Sequence, residues 1–332
     1  MRDVAALAGV SGKTVSRVIN DEAYVSDDVR ARVLEAVAAL GYIPNMVSQA
    51  FRSGRDRAIG IVVPDLSDPF FAALVQAAAR AAADAGLAVL VSTAGNDPVL
   101  EQQVVESLIR RRLSGLLLVS VADDHRYLRG VIDEMPVVFV DRPPRSLTAD
   151  NVMEDDRGGA IAATELLISR GHRRIAVVGE NSAVPTIERR WAGHRSALEA
   201  AGIAADDAIV HLTARPVDTL PGFLDSVLAG PQPVTAVFVL DSATAMHVVA
   251  RLHQRRRTDL AVISFGDFPM AALLQPSVTA VDQAPDILGH TAIERLLVRL
   301  ERPRARLRRS LVLPVALIER DSNPSPATRR AP

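Results

Sequence analysis

Cysteine is absent from this chain of 332 residues, lysine and tryptophan occur once each, and aromatic side chains make up only 4%. Without cysteine there is no disulfide framework, no thiolate metal site and no cysteine nucleophile. Neither charge sign is in excess: 38 basic residues face 39 acidic ones. That balance excludes a coat protein basic throughout but not a locally basic module, because the electrostatic footprint of nucleic-acid binding is local. Long apolar runs are missing too. The stretch Gly115–Val121 falls far short of the ~20 residues a membrane span requires, so no membrane partner is expected. Met1–Asn20 alternates apolar and polar residues and lacks the pattern of an export signal, so a cytoplasmic protein is expected. No Gly-x-Ser-x-Gly, P-loop or zinc motif occurs, and the seven histidines show no ligand spacing. The expectation is therefore a protein that is not an enzyme, with no catalytic residue, no cofactor and no metal.

What the chain does have is apolar content, 48% of all residues. That is enough for a sizeable core, and at ~150 residues per domain the length suits two domains or one two-lobed domain with an appendage. Residues 1–43 read as three short helices. Val4, Ala5 and Ala8 lie on one face of the first, which ends at Gly9. Ser11 is placed to cap a second helix running to about Asn20, with Val15, Val18 and Ile19 as its buried stripe. Ser26 is placed to cap the third, whose apolar face is Val29, Val33, Leu34, Val37 and Leu40, ended by Gly41 and Pro44. Two helices joined by a tight turn and braced by a third make a helix-turn-helix pattern.

From Ile59 onward β-branched runs alternate with helical stretches of ten to fifteen residues. Ile59–Val63, Leu87–Val91, Leu116–Val119 and Val137–Val140 are followed by Ile175–Val178, Val234–Val239 and Leu260–Phe265. Phe71–Ala85, Val99–Arg111, Gly159–Arg170 and Trp191–Ala201 lie between them. This alternation predicts parallel, doubly wound α/β architecture, and its length predicts two lobes. Asp321–Pro332, rich in Pro, Ser and Arg, is expected to be a disordered tail.

The run Asp3-Val4-Ala5-Ala6-Leu7-Ala8-Gly9-Val10-Ser11-Gly12-Lys13-Thr14-Val15-Ser16-Arg17-Val18-Ile19-Asn20 closely resembles the DNA-binding headpiece of the lactose-repressor (LacI/GalR) family. Leu40–Asn45, Ile61–Asp65, Asp68–Phe71 and Gly171–Ile175 match it as well, in one register to about Asp321. The resemblance implies an all-α headpiece over 1–43, then a hinge helix and linker over 44–57. A two-lobed core of the type I periplasmic-binding-protein kind, built on two doubly wound parallel sheets, would occupy 58–320. Its N-lobe would comprise about 58–154 and 284–312, and its C-lobe about 155–283 and 313–320. Only Met1 and Arg2 precede the position matching Asp3, which we read as a true start lying upstream.

The residue chemistry agrees with that resemblance. A recognition helix presents short polar and basic side chains at its N-terminal end, where it enters the major groove. Lys13 and Arg17 lie one turn apart and suit guanine O6 and N7. Ser11, Thr14, Ser16 and Asn20 suit phosphate oxygens, while Gly12 offers no side chain to a base. In the hinge, the resemblance gives Phe51 as the wedge that enters the minor groove, with Asn45 and Gln49 hydrogen-bonding nearby. Phe51→Ala is then expected to weaken operator binding with effector affinity nearly unchanged; equal operator affinity in a gel-shift titration would remove the wedge.

For the effector, the resemblance points to Phe70, Phe71, Asp141, Arg190, Asp241 and Gln283 in an interlobe cleft, with Trp191 beside Arg190. Aromatic faces suit a ring, and carboxylate, guanidinium and amide groups fix hydroxyls. The family's ring-stacking aromatic falls near Val217. On this reading Arg190→Ala abolishes the effector response and leaves operator binding intact. The implied protein is a repressor that binds a pseudo-palindromic double-stranded DNA operator as a homodimer. A small molecule, a sugar or related metabolite, controls it. The alternative is a solute-binding protein of the same core fold without a DNA role. Composition would have missed the first reading, since residues 1–57 carry eight basic and seven acidic side chains.

Overall fold

The computed structural model describes residues 1–19, 22, 24–42, 57–181 and 183–326. Asn20, Asn45, Gln49 and Phe51, and with them the expected hinge helix, lie outside the described residues. The chain divides into two compact units, Met1–Asp56 and Arg57–Pro332.

The first unit holds helices α1 (Arg2–Ala8), α2 (Gly12–Ile19) and α3 (Asp27–Ala39). Gly9 ends α1 with φ 65, a left-handed backbone that glycine enters without a Cβ penalty. Two residues later the Ser11 Oγ accepts the Thr14 backbone N–H at 3.1 Å, so α2 starts on a side-chain cap. Val4, Ala8, Val15, Val18, Val33 and Ala36 form the small core. Two expectations are corrected here. Ser26 sits at the N-cap of α3 but its side chain makes no capping bond. Leu34 and Leu40 are 52% and 47% exposed. Three short helices bury only a narrow stripe, and Leu34 is turned about 100° from Val33 around the helix.

The second unit contains two six-stranded sheets. The first is ordered β11-β5-β4-β3-β1-β2, from β1 (Ala58–Val63), β2 (Ala88–Thr93), β3 (Gly115–Leu118), β4 (Val137–Val140), β5 (Asp150–Glu154) and β11 (Ser310–Leu313). The second runs β12-β10-β9-β8-β6-β7. Its strands are β6 (Ile175–Gly179), β7 (Val210–Leu212), β8 (Ala236–Val239), β9 (Ala261–Phe265), β10 (Thr279–Asp282) and β12 (Ala316–Ile318). All pairs are parallel except β10 with β12. Central strands such as Ile59–Val63 and Val137–Val140 are buried on both faces, as parallel strands covered by helices must be.

Helices α4 (Pro69–Asp84) and α10 (Pro285–Glu301) cover one face of the first sheet, and α5 (Pro98–Arg110) packs on the other. A Cβ on Gly289 would stand 2.4 Å from the Leu74 carbonyl, so that glycine sets how closely α4 and α10 approach. Helices α6 (Asp156–Ser169) and α7 (Pro185–Ala200) flank the second sheet on one side, with α8 (Pro216–Ala229) and α9 (Ser242–Gln254) opposite. The chain crosses between the sheets three times: from β5 to α6, from β10 to α10, and from β11 to β12.

Strands β5, β7, β10, β11 and β12 had no counterpart in the hydropathy pattern. They are short, and β5 reads Asp-Asn-Val-Met-Glu. The expected disordered tail is corrected over residues 321–326. Ser322 and Asn323 are 2% and 5% exposed. The Ser322 carbonyl accepts the Val262 N–H at 2.6 Å, and the His172 ring bridges the Thr235 hydroxyl (2.9 Å) and the Pro324 carbonyl (2.8 Å). Composition marks a segment as polar, but backbone pairing to a sheet can still order it.

Candidate functional site

On the first unit, Ser11, Gly12 and Lys13 are exposed at the start of α2 and Arg17 in its last turn, and Thr14 is half-buried. Ser11 and Thr14 share a 2.9 Å hydroxyl contact, which leaves both oxygens at the helix start. There the unpaired backbone N–H groups and the helix dipole favour an anion. A Cβ on Gly12 would meet nothing within 4 Å, so packing does not require glycine there. Arg17 makes a 3.7 Å ion pair with Glu22, both about half exposed. Ser16 departs from the expectation, being 8% exposed and part of the headpiece interior.

Within the second unit, a cavity of about 440 Å³ opens between the two sheets' C-terminal edges. Ligands of open α/β sheets bind at those edges. Six of the seven residues expected there line it: Phe70, Phe71, Asp141, Arg190, Asp241 and Gln283. Three of them, Phe70, Phe71 and Asp241, come from helix starts. Asp68 accepts the Phe70 N–H at 2.9 Å to cap α4, which fixes Phe70 and Phe71, both buried in the core of the first sheet, along the cavity wall with ring centroids 5.2 Å apart, edge to face. Asp241 accepts the Thr244 N–H at 2.7 Å to cap α9. Capping and lining are thus done by the same residue types. Val217, 37% exposed, also lines the cavity and supplies no ring there.

Trp191 is corrected. Its indole stacks on the His194 imidazole at 5.5 Å and packs into the apolar layer under the second sheet. Adjacent residues on a helix point about 100° apart, so the cavity receives Arg190 and not its neighbour.

Arg190 is 4% exposed and sits at the crossovers between the sheets. Its Nε donates to Asp156 at 2.7 Å, one Nη to the Leu240 carbonyl at 2.8 Å and the other to Glu154 at 3.2 Å. The guanidinium lies 4.0 Å from the centre of the Phe265 ring. Gln283, beside the β10 crossover, donates to the same Glu154 oxygen at 2.7 Å, and Arg189 reaches Asp156 at 2.8 Å. Burial pushes the Glu154 and Asp156 carboxyls upward while the guanidinium beside them pulls the other way. Arg190 is therefore both a lining residue and the cation that balances two buried carboxylates at the junction of the lobes.

The lining is acidic. Asp65, Asp68, Asp141, Glu180, Asp218 and Asp241 contribute carboxylates against Arg142, Arg190 and Arg215. Asp65, Asp68, Glu180, Glu154 and Asp156 were not singled out from the sequence, because a carboxylate at a helix cap or strand end carries no pattern of its own. Asp68 does lie in the Asp68–Phe71 stretch that matched the family, which was the available signal.

Burial, with Asp241 and Asp141 nearby, pushes the Asp68 carboxyl up to about 6. Because this lies above the 3.8 of the unfolded chain, the folded state binds the proton more tightly. The resulting stability is fully present below about pH 4 and is lost as the pH rises through 6. Asp68→Asn keeps an N-capping oxygen without the charge. It is expected to stabilise the ligand-free protein at pH 8 by on the order of 1–2 kcal/mol and to change nothing at pH 4. Thermal melts at the two pH values check this; equal effects at both would locate the gain elsewhere.

Comparison with known proteins adds to this geometry. Residues 1–45 match the family model for bacterial regulatory proteins of the lacI family, and residues 164–323 match a periplasmic binding protein-like domain. The chain is 30% identical over 331 residues to the ribose operon repressor of Escherichia coli K12, covering 97% of this chain and 99% of that one. It is 34% identical over 285 residues to the HTH-type transcriptional regulator GalS of Salmonella typhimurium, covering 85% and 84%. Among solved structures, the lac repressor dimer bound to operator and the anti-inducer ONPF superposes with a TM-score of 0.81. It shares 25% identity and covers 97% of this chain and 98% of that one.

Proposed function

The chain belongs to the lacI family of bacterial regulatory proteins, and from that premise we propose that it is a cytoplasmic repressor acting as a homodimer on a pseudo-palindromic operator. It is a DNA-binding transcriptional regulator and not an enzyme, as its relatives are. The observation that carries the proposal is one chain holding both a helix-turn-helix unit with Lys13 and Arg17 exposed on its second helix and a core with an acidic cleft lined by two phenylalanines. Lys13 and Arg17 would read base edges; Ser11 and Thr14 would contact phosphates beside the open Gly12 position. Asn20, Asn45, Gln49 and Phe51 would add contacts on the resemblance alone.

A homodimer matches the two-fold symmetry of a pseudo-palindromic site. The effector, a sugar or related metabolite, would occupy the cleft at Phe70, Phe71, Asp141, Arg190, Asp241 and Gln283. A ligand that favours one arrangement of the lobes shifts the dimer between DNA-competent and incompetent states.

The test is duplex selection from a random pool followed by a salt titration on the enriched sequence. Affinity that falls steeply with salt, on a site of two related half-sites, is the expected result. Absence of any enriched duplex would favour the solute-binding alternative.

A further inference from the structure

Four cleft carboxylates, Asp65, Asp68, Glu180 and Asp241, have no basic partner within ion-pair distance among the described residues. The three lining arginines are already engaged. Arg190 is held by Glu154 and Asp156, Arg215 by Asp218 at 2.9 Å, and Arg142 by Asp141 at 3.4 Å. Asp68 and Asp241 start helices of opposite lobes, and the Ser242 hydroxyl next to Asp241 lies 3.5 Å from the Asp68 carboxylate. The Glu180 backbone N–H donates to the same Asp241 side chain at 3.3 Å. Negative charge therefore faces negative charge where the lobes must approach to enclose a ligand.

A second, independent observation comes from Arg142, which is 6% exposed and lines the cavity. Its buried Nε, 3.4 Å from the Asp141 carboxylate, makes no hydrogen bond there, and one Nη makes only a long 3.3 Å bond to the Ser120 carbonyl. A buried Nε without a hydrogen bond of its own leaves room for an oxygen acceptor from a ligand at this guanidinium.

Resting on the reading of this cleft as the regulatory pocket, we infer that its effector is an amino polyol, such as an amino sugar. The protonated amine would lie between Asp68 and Asp241, a hydroxyl oxygen on Arg142, and the ring's apolar face against Phe70 and Phe71. An ammonium cancels the repulsion across the cleft, whereas a neutral sugar supplies only hydroxyl donors and a phosphate or carboxylate adds to the repulsion. Burial and the neighbouring carboxylates already hold the Asp68 and Glu180 carboxyls above their ordinary range, the direction a site waiting for a cation takes.

The full-length protein is to be titrated calorimetrically at pH 7.5, in an amine-free buffer, with four probes. They are glucosamine, N-acetylglucosamine, glucose and glucose 6-phosphate, with galactosamine and mannosamine as further amines. The expected result is that at least one amine binds tenfold or more tightly than every neutral or phosphorylated probe. Asp68→Asn with Asp241→Asn should then erase that margin while the fold, read by circular dichroism, is kept. Tighter binding of a neutral or phosphorylated sugar, or no binding by any of the three amines, overturns the inference. If a neutral sugar binds and Asp241→Ala abolishes it, the regulatory cleft stands and only the amine is refuted. Binding that is indifferent to Asp68, Asp241 and Arg142 would refute both.

Discussion

Arg190→Ala is expected to lower the stability of the core by about 3–5 kcal/mol, the usual cost of removing one partner from a buried ion pair. For a unit of this size that is a fall in melting temperature of roughly 6–20 °C. Two carboxylates, Glu154 and Asp156, 2% and 1% exposed, would lose the guanidinium that binds both. Their acids are already held upward by burial, so without Arg190 they take up protons more readily still. A folded-state value above the unfolded one gives stability at low pH that is lost as the pH rises. The defect of the variant should therefore be smallest near pH 4–5 and largest near pH 8. Adding Glu154→Gln and Asp156→Asn to Arg190→Met is expected to recover most of the loss, since replacing a whole buried charged group with neutral side chains is often tolerated. Urea unfolding of the single and triple variants at both pH values checks this. A single variant as stable as the parent would mean that the network contributes nothing. The reading of Arg190 as a ligand contact whose loss leaves DNA binding intact is revised accordingly, because the residue also holds the lobes' crossovers.

The second large effect lies on α2. Lys13→Ala and Arg17→Ala are each expected to weaken binding to the selected duplex by roughly 5- to 150-fold, which is about 1–3 kcal/mol for a base contact. Headpiece stability should hardly change. Lys13 is exposed, and the Arg17–Glu22 pair is a half-exposed contact of 3.7 Å worth about 0–1 kcal/mol. Fluorescence anisotropy across a salt series separates two roles. A base-reading side chain relaxes specificity at one position and leaves the salt slope alone, whereas a phosphate contact lowers the slope by about 0.9 and affects all sequences alike. If either change leaves affinity unaltered on every duplex, that residue does not face DNA.

How much of this was legible depended on periodicity. Val4, Ala8, Val15 and Val18 recur at helical spacing, and each is buried in the headpiece. Runs such as Ile59–Val63 stand out as strands because both faces are covered and every residue is apolar. Strand β5 and the segment Asp321–Pro326 did not stand out, because polar residues there are ordered by pairing to a sheet brought close from elsewhere. In the cleft, Phe70, Phe71, Asp141, Arg190, Asp241 and Gln283 were legible through the family resemblance, Asp68 was signalled only as part of a matching stretch, and Glu154, Asp156 and Glu180 were not legible. Trp191 was misplaced through its neighbour. Adjacency along a helix does not mean a shared face, and a rotation of about 100° per residue separates a lining arginine from a packed indole.

The sequence by itself determined the wholly apolar strands, the absence of thiol chemistry, and the helix-turn-helix with its single lysine, since local spacing and residue chemistry suffice for these. Only the tertiary structure decided what the charges do. Glu154 and Gln283 lie 129 positions apart along the chain and meet at 2.7 Å, and Asp68 and Ser242 come together across 174 positions. Such pairs are created by the crossovers between the sheets. Their burial, which sets both the cost of a missing partner and the preference for a ligand's charge, is a property of packing that no local pattern encodes.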